Sequence, residues 1–285
     1  GDRGTKCARH LQRPRCHGTA FDPKYDLPNR TKGGSAAMNR QKSILAVGAH
    51  VGDMELTSGG LLATCSRLGW KVVLVTLTSS ERSAPEGMDL KQVKQTKVKE
   101  AAAFARVLGA ESIVLDIPDG FLKPSRKVSF LLRDLICRNT PEIVVTHYAS
   151  PHKDHMACHT IVNHAVFYAS LPNSRRGDLP HSVPHLLYAE NWEDNEDFKK
   201  ELYIDTSEGY ALWQDALQKE TSVLQCPFLP IVEYYTVKSR LNGILAHTGH
   251  AECYARAAGH RTVRQVSPVA REGAFQTMPT LLLQP

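Results

Sequence analysis

The sequence has no apolar run approaching the ~18 residues that a membrane-spanning helix needs, so no membrane span is expected. It also has no Cys-x-x-Cys pair. Cys7, Cys16, Cys65, Cys137, Cys158, Cys226 and Cys253 are scattered and odd in number. That pattern argues against a disulfide framework or a zinc ribbon, and for reduced thiols in a cytoplasmic protein. A dinucleotide fingerprint is missing: no Gly-x-Gly-x-x-Gly can be laid across Gly48, Gly52, Gly59 and Gly60, and no phosphate loop ending in Gly-Lys-Ser/Thr is present there. Excess charge on the body is absent as well. Most of the net charge of +6 comes from residues 1–37, which hold eight Lys/Arg against three Asp. No basic face for a nucleic-acid partner is indicated.

What is present is enough chain, 285 residues, for one generous α/β domain with tails. Residues 1–37 are rich in Gly, Arg, Pro and polar residues without apolar periodicity, and are expected to form a disordered basic tail. They contain no hydrophobic core of a secretory signal, and Asp2, Asp22, Asp26 and several prolines interrupt any organelle presequence. Met38 is a candidate for the physiological start. One domain is expected over 38–256, followed by a loose, Pro/Gly-punctuated segment over 257–285.

Within the domain, short β-rich apolar runs alternate with helical stretches. Strands are expected at Ile44–Val47, Lys71–Thr78, Glu111–Ile117 and Glu142–His147, with helices at 61–68, 90–108 and about 127–138 between them. That rhythm implies right-handed crossovers and a Rossmann-like, mostly parallel sheet with helices on both faces. Two shorter strands at 186–190 and 202–205, then helices at 208–220 and 231–245, complete the expected elements.

Chemistry gathers where strands hand over to helices. The loop after the first strand carries His50 and Asp53, an imidazole and a carboxylate that one turn of chain can aim at a single ion. The loop after the fourth strand reads His147-Tyr-Ala-Ser-Pro-His152-Lys-Asp154-His155. Both loops belong to the carboxyl edge of a parallel sheet, where ligands bind. His-x-x-Asp alone is a weak signal, but two clusters at one edge make a metal site a serious reading. Two further polar stretches are less decisive. Trp192 with Glu193, Asp194, Glu196 and Asp197 reads as a solvated loop or as a substrate-contacting rim, and His247-Thr-Gly-His250-Ala-Glu252 is a third cluster. His159 and His164 read as helix-surface or packing residues.

Taken together, the clusters resemble the LmbE/PIG-L family of zinc-dependent de-N-acetylases, whose members include N-acetylglucosaminyl-phosphatidylinositol de-N-acetylase. The family's Ala-His-Pro-Asp-Asp-Glu motif with its later Leu and Gly-Gly pair is matched by Ala49, His50, Asp53, Leu56, Gly59 and Gly60. Its His-Pro-Asp-His motif is matched by His152, Asp154 and His155. Thr78 and Glu81, Lys97 and Glu100, the Asp116–Gly120 turn, and His250-Ala251-Glu252 resemble further family positions. The resemblance implies an LmbE-like fold in which His50, Asp53 and His155 bind Zn²⁺ and leave a position open for water. It implies that His152 stabilises the oxyanion and protonates the departing amine, and that Asp154 orients a histidine. Lys97, Asp119 and His250 are candidates for lining the pocket of a small-molecule, N-acetylated sugar substrate.

One departure matters. The family's general base is the first Asp of Asp-Asp, and here that position is Gly52, with Met54 replacing the usual Glu. Three readings stay open: an active hydrolase in which another carboxylate such as Glu55 or Asp154 takes the proton, an enzyme with a changed substrate, and a zinc-retaining sugar binder without catalysis. A nucleotide-binding Rossmann protein is the rival of a different class. Gly52→Asp is expected to raise the rate if the base position is simply vacant. Self-association as a homo-oligomer is left open by the sequence.

Overall fold

A computed structural model describes residues 41–257, apart from 85, 173–178, 195–196 and 227–228. The expectations of a disordered tail over 1–37, a start at Met38 and a loose segment beyond Ala257 lie outside the described residues. Those residues belong to one compact unit.

The apolar runs form a seven-stranded sheet: β1 (Ser43–Gly48), β2 (Lys71–Thr78), β3 (Glu111–Ile117), β4 (Ile143–His147), β5 (His185–Ala189), β6 (Leu202–Asp205) and β7 (Ala251–Arg256). Their order is β3-β2-β1-β4-β5-β7-β6. The first five pair in parallel, while β7 runs antiparallel to both β5 and β6. The fold class read from the sequence is therefore borne out, with one strand added, because the sequence shows the start of β7 only as a polar cluster. The helices are α1 (Asp53–Thr57), α2 (Gly59–Arg67), α3 (Leu90–Val107), α4 (Arg126–Asn139), α5 (Lys153–Ser170), α6 (Tyr210–Leu217), α7 (Thr221–Leu224) and α8 (Ile231–Leu245). Among the described residues, no helix is long and apolar enough to cross a membrane.

β1 and β4 are buried along their whole length, which is why their sequences are continuous apolar runs rather than alternating ones. Chain order reverses between them, so the loops following β1 and β4 diverge from neighbouring strand ends and leave a crevice. The core beneath α2 and α6 includes Ile44, Leu62, Leu74, Phe104, Val145 and Trp213. Gly59 is required there: a Cβ would stand 2.2 Å from Trp213 Nε1, and that indole nitrogen donates to Glu55 O at 2.8 Å.

β7 is tied to the first crossover by Glu252. Its carboxylate accepts from Gly60 N at 2.7 Å and Leu61 N at 2.9 Å at the start of α2, and from Tyr254 Oη at 2.7 Å. A carboxylate at a helix N-terminus satisfies free amides and meets the positive end of the helix dipole. Burial nevertheless pushes Glu252 up from 4.5 to about 7 against those hydrogen bonds. Between those two values the native state keeps a proton that the unfolded chain has lost, so this group makes stability fall as pH rises across the window. Glu252→Gln is expected to flatten the fall in melting temperature between pH 4.5 and 7, measured by calorimetry beside the parent. An unchanged slope would show that Glu252 is ionised throughout.

Candidate metal centre

β1 ends at Gly48, and the chain turns through Ala49, His50 and Val51 into Gly52, whose φ of 104° lies where side chains are strained. That turn starts α1 and folds the Asp53 carboxylate back onto its own loop. Asp53 Oδ2 accepts from His50 N at 2.7 Å and stands 3.0 Å from His147 Nε2 at the end of β4. Asp53 N in turn donates to His50 O at 3.3 Å.

From the β4 side, His152 caps α5, its Nδ1 accepting from His155 N at 3.4 Å, while His152 N donates to Ser150 Oγ at 2.9 Å. The first turn of α5 then carries Asp154 and His155 inward, both buried. His155 stacks on His147 with ring centroids 4.1 Å apart. Asp119 arrives from the Pro-Asp-Gly turn after β3. It is held there by Arg82 N, which donates to its Oδ2 at 2.9 Å, and by its own N, which donates to Glu81 Oε1 at 3.0 Å.

Three donor atoms meet. His50 Nδ1 lies 3.3 Å from Asp53 Oδ2 and 3.3 Å from His155 Nε2, and His155 Nε2 is 3.7 Å from Asp53 Oδ2. Zinc bonds of ~2.0–2.1 Å in a tetrahedron space their ligands roughly 3.3 Å apart. The far nitrogen of each ring fits the same reading. His50 Nε2 faces Asp119 Oδ1 at 3.2 Å and Asp154 Oδ2 at 3.6 Å, and His155 Nδ1 faces Glu193 Oε2 at 3.7 Å. An imidazole that gives one nitrogen to an ion carries its proton on the other, where a carboxylate fixes the ring. The residues present therefore fit a divalent ion held by His50, Asp53 and His155.

The charges agree with that fit. Burial opposes a charged His50, yet Asp53, Asp119 and Asp154 around it overcome that and push its pKa up to about 12. Burial likewise works against the Asp53 carboxylate, and the imidazoles of His50, His147 and His155 more than compensate, holding it well below the usual range. Asp119 and Asp154 are lowered too, in each case chiefly by His50 working against burial. Carboxylates packed this closely require positive charge among them.

The donors open onto a cleft of about 460 Å³. His152, Arg82, Lys97 and Asp119 form polar parts of its wall, and Trp192, Val223, Leu229, Ile231 and Tyr235 form an apolar part. Of the residues singled out in the sequence, His50, Asp53, His152, Asp154 and His155 come together, and Lys97 and Asp119 join them in the cleft region. His250 does not. It stacks on Tyr210 with centroids 3.5 Å apart and lies 3.1 Å from Ser239 Oγ, outside the residues that line the cleft. Trp192 and Glu193 do reach the cleft, as the rim reading of that stretch has it. Sequence reasoning gives no role to Asn191, includes His147 in the second cluster without assigning it a function, and includes Glu193 only in the acidic stretch with the rim reading. His147 could have been found from its place at the end of β4, whereas Asn191 and Glu193 approach only through space.

Fold and site together define an α/β protein with a His/Asp/His donor set at the switch point of its sheet. The chain is PIG-L (LmbE)-like: the sequence profile of that family, described as GlcNAc-PI de-N-acetylase, matches residues 45–166. It is 26% identical over 217 residues to 4-oxalmesaconate hydratase of Pseudomonas putida KT2440, covering 72% of this chain and 81% of that protein. To diacetylchitobiose deacetylase of Thermococcus kodakarensis it is 28% identical over 158 residues, 51% of this chain and 58% of the relative. The crystal structure of GalB, the 4-carboxy-2-hydroxymuconate hydratase of P. putida KT2440, shares the fold with a TM-score of 0.70 at 23% identity, covering 76% of this chain and 96% of that one.

The geometry also revises the expectation for Gly52→Asp. A Cβ at Gly52 would need the strained φ of 104° and would meet Val223 Cγ2 at 3.1 Å. Holding a non-glycine residue in such a conformation costs roughly 1–3 kcal/mol. The variant is expected to unfold at lower denaturant by that amount, rather than to gain rate. A variant of parental stability would show that the loop relaxes.

Proposed function

We propose that the protein is a zinc-dependent hydrolase that removes the N-acetyl group from an N-acetylglucosamine-type sugar conjugate. What supports this reading is the convergence of His50 Nδ1, Asp53 Oδ2 and His155 Nε2 beside a cleft wide enough for a small sugar. His50, Asp53 and His155 would hold the ion, which when bound supplies a Lewis acid for the acyl carbonyl and brings the pKa of water down to ~7.

The remaining chemistry belongs to side chains. His152 lines the cleft with its ring centroid 5.2 Å from that of His50, on the side open to substrate. It is the group that donates a hydrogen bond to the acyl oxygen as charge develops there, and then a proton to the departing amine. Asp119 and Asp154 keep His50 oriented, and Glu193 does the same for His155. The apolar wall around Trp192 and Tyr235 offers a face for a sugar ring and its aglycone.

A second reading has its own support. Position 52 is glycine, and a relative aligned over most of its length is a hydratase. Under that reading the same site adds water to a carbon–carbon double bond conjugated to a carboxylate, with Arg82 and Lys97 facing the acid groups.

Acetate release from a panel of N-acetylglucosamine conjugates, with hydration of unsaturated dicarboxylic acids followed by loss of ultraviolet absorbance, separates the two. Deacetylation that is abolished by a chelator and restored by zinc is the expected result. His152→Ala is expected to lower it ~10²–10⁴-fold with zinc content retained. Hydration without acetate release would replace the first reading by the second. Zinc retention with neither activity would leave a sugar-binding relative.

A further inference from the structure

Behind Gly52 lies a carboxyl group that the account so far leaves unused. Glu220, the residue preceding α7, is fully buried, and neither of its carboxylate oxygens has a hydrogen-bond partner among the described residues. Leaving such a group unsatisfied costs free energy, so a buried carboxyl without a donor calls for an explanation. Its position suggests one. Glu220 Oε2 lies 3.8 Å from where a Cβ on Gly52 would stand, and Gly52 lies in the cleft wall beside Asp53. Glu220 itself does not line the cleft. A side chain at position 52 would point toward that carboxyl, meeting Val223 Cγ2 at 3.1 Å on the way, so glycine leaves Glu220 separated from the cleft wall by backbone and the edge of Val223.

The surroundings are those of a proton-handling group. The charges that bear on Glu220 are Glu55 and Asp53 from α1, and Lys97 and Glu100 from α3. Glu100 is engaged elsewhere, accepting from the hydroxyls of Thr221 and Ser222. Glu55 accepts from Gly52 N at 3.2 Å. Glu220 is thus the carboxyl of this group left without a donor.

We propose that Glu220 is the proton acceptor of the reaction, reached from the cleft past Gly52, where no side chain stands. The water O–H bond breaks and its proton passes to Glu220 Oε2, while the water oxygen forms a C–O bond to the substrate carbon. In an amide hydrolysis the C–N bond then breaks, its electron pair stays on nitrogen, that nitrogen takes a proton from His152, and the proton held on Glu220 restores His152 by way of solvent. In a hydration the proton is returned to the adjacent carbon. Water is the only co-reactant in either case. Burial and the neighbouring Glu55 hold the carboxyl well above the ordinary Glu value against the pull of Lys97. The ionised form is accordingly a stronger base than an exposed glutamate.

This inference rests on the reading of a water-activating site, and the test separates failure of the one from failure of the other. In the zinc-loaded full chain, Glu220→Gln is expected to lower kcat ~10²–10⁴-fold with KM within a few-fold and zinc content retained. It is also expected to remove the acid limb of the rate profile. Glu220→Ala, which keeps the site open, is expected to recover activity in formate, whose carboxylate occupies the vacated space. A readout without substrate comes from the cobalt(II)-loaded protein, in which the pH at which the visible spectrum changes is expected to differ between parent and Glu220→Gln. Parental kcat with a superimposable cobalt titration would overturn the proposal and make Glu220 a structural acid. A shifted titration in a protein that turns over no substrate would uphold the coupling of Glu220 while removing the catalytic reading. A parent that binds no cobalt would remove both.

Discussion

The Asp53 carboxylate is the constraint on which the site depends. One oxygen of that group is held by the amide of His50 at 2.7 Å, lies 3.0 Å from His147 Nε2, and stands within 3.3 Å of His50 Nδ1. An aspartate can turn back on its own loop this way because the residue before it adopts a positive φ, which glycine does without strain. The glycine at position 52 is therefore part of how the loop places two donors. A buried carboxyl from a distant segment, that of Glu220, lies 3.8 Å from where a Cβ on this glycine would stand.

The sheet supplies the rest of the geometry. Because β1 and β4 are neighbours, pairing in parallel with Ile44 opposite Ile143 and Val47 opposite Thr146, the loops beyond them emerge side by side. His50 and Asp53 come from one loop, His147 from the end of β4, and His155 from the first turn of α5. β2 and β3 extend the same edge and bring Glu81, Arg82 and Asp119, which brace each other through backbone amides. A ring of carboxylates is thereby assembled outside the two candidate ligand imidazoles. Such an arrangement costs heavily in desolvated negative charge unless a cation sits within it.

Much of this was legible in the residues. β2, β3, β6 and α8 fall at the expected boundaries because their apolar runs are bounded by turn residues, and the His/Asp/His set was visible as two clusters at equivalent strand ends. Three features were not. α1 is only five residues long and begins at a glycine with positive φ, so it read as a polar turn. β7 carries Glu252 and Cys253 and owes its existence to antiparallel pairing with two strands, neither of which is adjacent in sequence. That pairing also directs His250 toward Tyr210 and away from the cleft lining. Glu220 is an ordinary acid in helix-end sequence, and Glu193 stands out only as one member of an acidic loop, not as a partner of His155. Their importance comes from what stands across from them after folding, and no spacing rule reports that.

The central claim is that one divalent ion is gripped by His50, Asp53 and His155. X-ray absorption at the zinc edge of the purified, zinc-loaded chain tests it most directly, read together with metal stoichiometry in single alanine variants of those residues. The account predicts one zinc per chain in a shell of nitrogen and oxygen with two imidazoles, lost or sharply weakened in each variant. A sulfur-containing shell, or full zinc occupancy in all three variants, would contradict it.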